Sequence, residues 1–465
     1  MTTINQITTD QSSREYLARK NMTVERDTLS ACIKLATLTA LGIFILFALS
    51  ITPYIAIFII DFLFCAYLSR LFKNKYRYLF LIHPFFLFIS SRFYSSSFLL
   101  GGDGQAYLDI VQTYFNSNNL SFHFAELSNE MSIFEFFKYT SLGILPVFAV
   151  PEFFFGKPND VIYYLWQGTF NVFLSLIVIT LARAWRTLQT NYLFAMALFV
   201  VISPSCFDLG AAPTRHVMTL FGVLLLFNAH IAISQNLTLS RAISYIIAIA
   251  VILISKAPLL LPYVLFTCVD IFFIHKKRIS RLKLFMLLGV LALGLSLIGR
   301  FLLETLISSE ASSVEGANTF GSNTQIPIIG WIVKYIYAIL SPFPWSSFMV
   351  FINSEAYQGN GVLFFMHILS SLTGLYLFFI VILKYRYILN ADIQLQQAVA
   401  YALIMSLSIL RGSTGFHVYL LIYFPMLAPL LTVKKLQINL FLPVLFVLTL
   451  EGVVLFGREV FGITQ

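Results

Sequence analysis

Residues 240–275 read SRAISYIIAIAVILISKAPLLLPYVLFTCVDIFFIH, two apolar segments separated by one lysine, Lys256. Each segment approaches the roughly 20 apolar residues with which an α-helix crosses a bilayer. The break between them is too short for anything but a turn. This stretch predicts two successive membrane-spanning helices with Lys256 in the turn that joins them.

The composition of the whole chain extends this prediction. Of its 465 residues, 58% are hydrophobic and 11% charged, and the mean hydropathy is +0.84. A soluble protein of this size needs far more polar surface, so we expect an all-α polytopic membrane protein. Uneven distribution of Lys and Arg across the membrane explains the net charge of +9, so we expect no nucleic-acid partner.

Apolar runs predict about 12–13 transmembrane helices. We place them at 33–51, 53–69, 78–97, 160–182, 191–207, 215–234, 240–255, 257–275, 284–304, 360–383, 395–411, 415–432 and 438–456. The polar, mixed-charge residues 1–28 lack the apolar core of a signal peptide and predict a cytoplasmic tail. Residues 29–465 are then one transmembrane domain.

The breaks between these segments differ in charge according to side. With a cytoplasmic N-terminus, the Lys and Arg clusters fall on the inner side, as is usual for membrane proteins. These clusters contain Arg70, Lys73, Lys75, Arg77, Arg183, Arg186, Arg241, Lys276, Lys277, Arg278, Arg281, Lys283, Lys384, Arg386, Lys434 and Lys435. Shifting the alternation by one segment would place the richest cluster outside, so the sidedness is well specified.

Two long breaks, 98–159 and 305–359, fall on the outer side. Each contains an apolar stretch interrupted by Pro or Gly, at 133–156 and 326–350. Such stretches favour short interfacial or re-entrant helices over full spans. The Ser-, Gly- and Asn-rich residues 308–325 are typical of a loop.

The first outer break contains the sequence GGDGQAY, residues 101–107. Its glycines let the backbone approach a ligand, and the turn presents the carboxylate of Asp103. Tyr107 follows one turn later, and Glu126 lies further along the same break. The carboxylate of Asp103 is a candidate general base or cation ligand. The alternative is an ordinary Asx turn.

The sequence APTRHVMTLF, residues 211–220, predicts a helix start with Thr214 as N-cap. Arg215 and His216 then occupy the first turn, where the helix dipole disfavours cations. Free N–H groups, the dipole and a guanidinium together would favour a bound anion there. The alternative is an arginine that reaches for the membrane interface.

Further single cations occur at the outer ends of the predicted helices: Lys256, Arg300, Arg411 and His417. Each alone is more often a membrane anchor than a ligand. Several on one face, against the usual charge bias, indicate a site for a polyanion such as a diphosphate. Asp61 lies inside a predicted span and receives no role. His83, His230, His275 and His367 lack ligand spacing and are interpreted as core or interface residues. We expect no metal and no cofactor.

The order of these features resembles the Wzy/EpsG-type membrane polymerases of bacterial surface polysaccharides, such as O-antigen and capsule. The resemblance covers roughly residues 80–430. It rests on Asp-x-x-x-Tyr in an outer loop, a helix opened by Arg and a polar residue, a turn before a Pro-containing helix, and a late Arg turn with aromatics. The corresponding residues are Asp103, Tyr107, Arg215, His216, Lys256, Pro258, Arg411 and Tyr419.

The resemblance implies a glycosyltransferase of the bacterial inner membrane that polymerises oligosaccharide units on undecaprenyl diphosphate at the periplasmic face. Asp103, His216 and His417 are then candidate catalytic residues. The diphosphate and glycan would be bound by Arg215, Lys256, Arg300, Arg411, Tyr107 and Glu126. The implied partners are the lipid-linked oligosaccharide, membrane lipids and a chain-length regulator.

Two other functions stay open. A membrane glycosyltransferase that takes one sugar from a polyprenyl-phosphate donor would also have an acidic residue in its first outer loop. A flippase or transporter of the lipid-linked sugar should have short loops on both sides and cations at mid-membrane. The long outer breaks favour an enzyme over a flippase.

Overall fold

The computed structural model describes residues 53–72, 74–85, 115–116, 121–122, 182, 186–203, 216–256, 259–274, 361–407, 423–439, 441, 443–446 and 449. These residues are mostly helical. Their α-helices are α1 (Pro53–Leu71), α2 (Thr190–Ile202), α3 (His216–Gln235), α4 (Leu239–Lys256), α5 (Leu260–Val269), α6 (Gly361–Leu383), α7 (Tyr385–Leu389) and α8 (Ile393–Ser406).

Shorter elements complete the described part of the chain. They are 3-10 segments at Arg77–Ile82, Phe424–Thr432 and Lys434–Leu436 and a π-helical turn at Asp270–Ile274. Strands β1 (Phe115–Asn116) and β2 (Ser121–Phe122) form one small antiparallel ladder.

These residues are mostly helical, as the expected all-α class requires, and the strands β1 and β2 have only two residues each. Helices begin and end within a few residues of the predicted bounds for α1, α3, α4 and α6. None of the helices in the described ranges has both the length and the apolar character that crossing a membrane requires. The predicted spans 33–51 and 284–304, the span 160–182 apart from residue 182, and most of the two long outer breaks lie outside the described residues.

Two predicted α-helices differ in type. The segment expected at 415–432 is a 3-10 helix over Phe424–Thr432, with Pro425 in its first turn and Pro429 in its interior. Proline has no N–H to donate, and its ring clashes with the preceding turn of an α-helix. The segment expected to begin at 78 likewise opens as a 3-10 helix, Arg77–Ile82.

Helices α3 and α4 form an antiparallel hairpin joined by residues 236–238. At the connection, Nη1 of Arg241 donates to the carbonyls of Ala232, at 3.0 Å, and Asn236, at 3.2 Å. These carbonyls belong to the group at a helix C-terminus that has no intrahelical partner. Further along the hairpin Gly222 faces Ile252. The first turn of α3 and the last turn of α4 therefore lie at the same end.

Gly222 allows this close approach. A Cβ added there would lie 2.9 Å from Cδ1 of Ile252 and 3.2 Å from Cγ1 of Val251. Gly222→Ala should change the free energy of unfolding by less than about 1 kcal/mol, because better helix propensity offsets the displaced side-chain tip. Gly222→Leu should destabilise by about 1–3 kcal/mol through overpacking. Chemical unfolding of the full chain in detergent measures both, and equal stability of the two variants would contradict this packing.

Aromatic side chains connect the end of α1 to the start of α2. The ring of Phe194 lies 5.5 Å from that of Phe72 and 5.7 Å from that of Phe80, both edge to face. All three rings are buried, and edge-to-face pairs add to the gain from burying aromatic area. The first turn of α2 is therefore packed against the chain that follows α1.

Polar contacts bring the start of α8 to the same place. The hydroxyl of Tyr192 donates to the carboxylate of Asp392 at 2.5 Å. Asp392 also caps α8 by accepting from N–H of Leu395 at 3.1 Å. Nearby, Nε2 of Gln235, the last residue of α3, donates to the carbonyl of Thr187 at 2.7 Å. We call this end, where α2 and α8 begin and α3 ends, the Asp392 end, and the opposite one the Lys256 end.

Candidate functional site

A fully buried carboxylate and imidazole lie between α3 and the turn that follows α5. Nε2 of His230, in α3, is 2.9 Å from Oδ2 of Asp270, in the π-helical turn after α5. Both side chains are 0% exposed. A buried carboxylate without partners would cost several kcal/mol, so this contact determines how α3 and α5 pack.

The imidazole of His230 is also connected to two tyrosine hydroxyls in series. Nδ1 of His230 is 2.8 Å from the hydroxyl of Tyr263, which is 2.6 Å from that of Tyr245. A hydrogen on Nε2 directed at Asp270 leaves Nδ1 to accept from Tyr263, and Tyr263 to accept from Tyr245. The three hydrogen bonds from Tyr245 to Tyr263, from Tyr263 to His230 and from His230 to Asp270 then all point towards the carboxylate.

Helix α8 closes the network from the other side. Nε2 of Gln397 donates to Oδ1 of Asp270 at 2.9 Å, and the hydroxyl of Tyr401 donates to the carbonyl of Val223 at 2.9 Å. Hydrogen bonds of this kind favour one relative rotation of the helices that carry the donors and acceptors. The network links α3, α4, α5 and α8, and its complete burial keeps it from meeting a ligand directly. The network therefore fixes how these four helices pack against one another.

A second acid–histidine pair lies between α1 and the residues after the first 3-10 segment. Nε2 of His83 is 3.7 Å from Oδ2 of Asp61, and both side chains are buried. Nδ1 of His83 donates to the carbonyl of Val201, in α2, at 2.9 Å. Through these two contacts His83 connects Asp61 of α1 to Val201 of α2, in the same way that Asp270 and His230 connect the end of α5 to α3.

Two of the residues predicted to form a ligand site are described. The backbone of His216 begins α3, and Lys256 ends α4 and is half-buried. Because the hairpin is antiparallel, these two positions lie at the same end of the bundle, the Lys256 end. The hydrogen bond from Tyr401 to Val223 places the last turns of α8 beside the N-terminal half of α3, towards that end.

The remaining predicted site residues lie outside the described part of the chain. They are Asp103, Tyr107, Glu126, Arg215, Arg300, Arg411 and His417. In sequence, Arg215 immediately precedes α3 and Arg411 follows the end of α8 by five residues. Among the described residues, no group of three or more His, Cys, Asp or Glu side chains is placed to hold a metal ion.

The described residues form a mostly helical bundle with two buried acid–histidine pairs. No protein-family model matches the chain, and no curated protein or solved structure matches it at a significant level.

Sequence reasoning missed the buried network. His230 was interpreted as a core residue, which its burial confirms, but its pairing with Asp270 was not predicted. The available signal was an isolated carboxylate within a run of apolar residues, VLFTCVDIFFI (264–274). A carboxylate in such a run needs a partner, and His230 is a histidine in another apolar run.

Proposed function

We propose that this chain is a polytopic protein of the bacterial inner membrane, with a cytoplasmic N-terminus, that polymerises oligosaccharide units carried on undecaprenyl diphosphate. The membrane assignment is supported by the apolar composition and by the basic inner breaks. The polymerase assignment is supported by the resemblance and by the chemistry of the outer breaks. Membrane lipids and a chain-length regulator are the further proposed partners.

One observation carries the proposal: the hairpin of α3 and α4 brings His216 and Lys256 to one end of the bundle. Arg215 is the neighbour of His216 in sequence. A cluster of cationic groups at a helix N-terminus suits a diphosphate, because free N–H groups and side-chain donors add to the same attraction. The buried hydrogen bonds among His230, Asp270 and Gln397 support this arrangement, because they fix how α3, α5 and α8 pack against one another.

The proposed reaction transfers the growing glycan from its lipid carrier to an incoming unit. The bond between the anomeric carbon and the diphosphate oxygen breaks, and the diphosphate leaves with the bonding electrons. A hydroxyl oxygen of the incoming unit forms the new bond to that carbon, and its proton passes to a base. Asp103 is the proposed base, with His216 and His417 as alternatives.

Cationic side chains would stabilise the leaving diphosphate. Its negative charge grows as the glycosidic bond breaks, and fixed cations in a site of low dielectric act most strongly on such developing charge. Arg215, Lys256, Arg300 and Arg411 are the proposed cations. Tyr107 and Glu126 would contact the sugars. The reaction requires no nucleotide and no cofactor.

A second candidate function is transport of the lipid-linked sugar across the membrane. The two buried acid–histidine pairs favour it, since ionisable groups inside a membrane often mark transport or proton pathways. A single-sugar transferase is the third possibility, favoured by the acidic outer loop alone.

Glycan analysis of a strain lacking this chain distinguishes the three functions. If the chain is a polymerase, the strain should carry surface glycans with one repeat unit per lipid anchor and no long chains. A missing side branch on otherwise long chains would instead identify a single-sugar transferase. Accumulation of the lipid-linked unit at the cytoplasmic face would identify a transporter. Complementation by the intact gene is the control, and normal long chains in the deleted strain would contradict the proposal.

A further inference from the structure

The tetrapeptide Lys-Tyr-Arg-Tyr occurs twice in this chain. It spans residues 75–78, shortly after α1, and residues 384–387, directly after α6. Each copy therefore follows a long apolar helix. We call these two segments the tetrads.

The first tetrad presents its cations on its own aromatic rings. Nζ of Lys75 lies 4.7 Å from the ring centre of Tyr76, and the guanidinium of Arg77 lies 4.8 Å from that of Tyr78. Nη2 of Arg77 also donates to the hydroxyl of Tyr78 at 2.8 Å. The electron-rich ring faces attract the cations and hold them near the surface.

In the second tetrad the lysine lies near the last tyrosine and the arginine near the first, the reverse of the first tetrad. Nζ of Lys384 lies 5.6 Å from the ring centre of Tyr387, and the guanidinium of Arg386 lies 5.7 Å from that of Tyr385. Nε of Arg386 donates to the hydroxyl of Tyr385 at 3.0 Å. The tyrosines of both tetrads remain half or more exposed, at 52% and 60% in the first and 50% and 57% in the second.

Both tetrads lie at the Asp392 end of the bundle. The first lies between Phe72 and Phe80, whose rings pack on Phe194 near the start of α2. The second forms the turn into α7, which ends shortly before Asp392, the partner of Tyr192 at the start of the same helix. Both tetrads therefore lie close to the N-terminal part of α2.

The four cations of the tetrads, Lys75, Arg77, Lys384 and Arg386, lie near tyrosine rings rather than carboxylates in the part of the chain that the structure describes. Within the described residues, none of them forms an ion pair with an Asp or Glu side chain. An arginine has five N–H donors, and the single bond from each tetrad arginine to a tyrosine leaves the others available. Exposed tyrosine rings and free guanidinium groups together match the boundary between lipid headgroups and acyl chains.

We propose that the two tetrads bind the phosphodiester headgroups of anionic bilayer lipids at the Asp392 end. The rings of Tyr76, Tyr78, Tyr385 and Tyr387 lie at headgroup depth, and the lysines and arginines contact the lipid phosphates. This site lies at the opposite end of the bundle from His216 and Lys256. The proposal does not depend on the enzymatic function, and lipid binding is measured without any glycan substrate.

Native mass spectrometry of the detergent-solubilised full chain, titrated with phosphatidylglycerol, tests this site. Each cation near an anionic lipid contributes about fivefold to binding. The double variant Lys75→Gln/Arg77→Gln should therefore bind the lipid of the first tetrad about 25-fold more weakly. Lys384→Gln/Arg386→Gln should do the same for the second. Phosphatidylcholine should bind weakly to the wild type and to all variants.

Lys434→Gln/Lys435→Gln is the matched control, since it removes the same charge from two exposed lysines outside the tetrads. It should retain the affinity of the wild type. Equal loss in control and tetrad variants would overturn the proposal in favour of general charge attraction, as would unchanged binding in the tetrad variants. Displacement of the lipid by millimolar inorganic phosphate would also overturn it, because the site would then bind free anions.

A second variant, Tyr78→Leu, keeps every charge and removes the ring and the hydroxyl that position Arg77. It should weaken phosphatidylglycerol binding severalfold, whereas Tyr78→Phe should weaken it less because the ring remains. Equal binding by the two variants would contradict a role for the ring.

Discussion

Replacing Asp270 with alanine is expected to lower the free energy of unfolding by about 3–5 kcal/mol. The carboxylate is fully buried and accepts from His230 at 2.9 Å and from Gln397 at 2.9 Å. Alanine would leave both donors buried without this acceptor and would open a small cavity. Chemical unfolding of the full chain in detergent, followed by circular dichroism, measures the loss.

Two variants calibrate this result. Tyr245→Phe removes only the terminal hydroxyl of the network and should cost about 1 kcal/mol, the net value of one hydrogen bond. Asn390→Ala removes an exposed amide that donates to the carbonyl of Arg386 and should change stability by no more than about 0.5 kcal/mol. If Asp270→Ala unfolded at the same denaturant concentration as Asn390→Ala, the network would not hold the helices together.

The helices could be predicted from the sequence because apolar runs of helical length, bounded by polar breaks, specify them locally. This holds for α3, α4 and α6, whose bounds differ from the predicted ones by a residue or two. The 3-10 conformation of Phe424–Thr432 was not predicted, although its two prolines were visible. Its backbone also packs against α2 and α8, and such tertiary contacts are not encoded in one segment.

The candidate site could be predicted only in part. Because successive predicted helices alternate in direction, the sequence predicted that His216 and Lys256 lie at the same end. The hairpin of α3 and α4 places them there. The contact between His230 and Asp270 spans 40 residues of sequence, and no local pattern specifies which acid meets which histidine. Repetition of the tetrads was visible in the sequence, but their common location near the start of α2 required the structure.

The second large effect is expected on the polysaccharide that the proposed reaction would produce. Asp103→Asn removes the proposed base, and Arg215→Ala removes a proposed cation beside the start of α3. A positioned general base contributes about 10²–10⁴-fold to a rate, and one donor to a developing negative charge contributes about 10²–10³-fold. Both variants should therefore leave the protein in the membrane at normal abundance while long polysaccharide chains disappear.

The length distribution of surface glycans in cells that express these variants tests the central claim most directly. We predict that Asp103→Asn and Arg215→Ala each give a single repeat unit on a gel. Lys435→Gln, which removes an exposed cation outside the proposed site, should give the full ladder of the wild type. A normal ladder from Asp103→Asn and Arg215→Ala, at normal abundance in the membrane, would contradict the proposed site and its role in polymerisation.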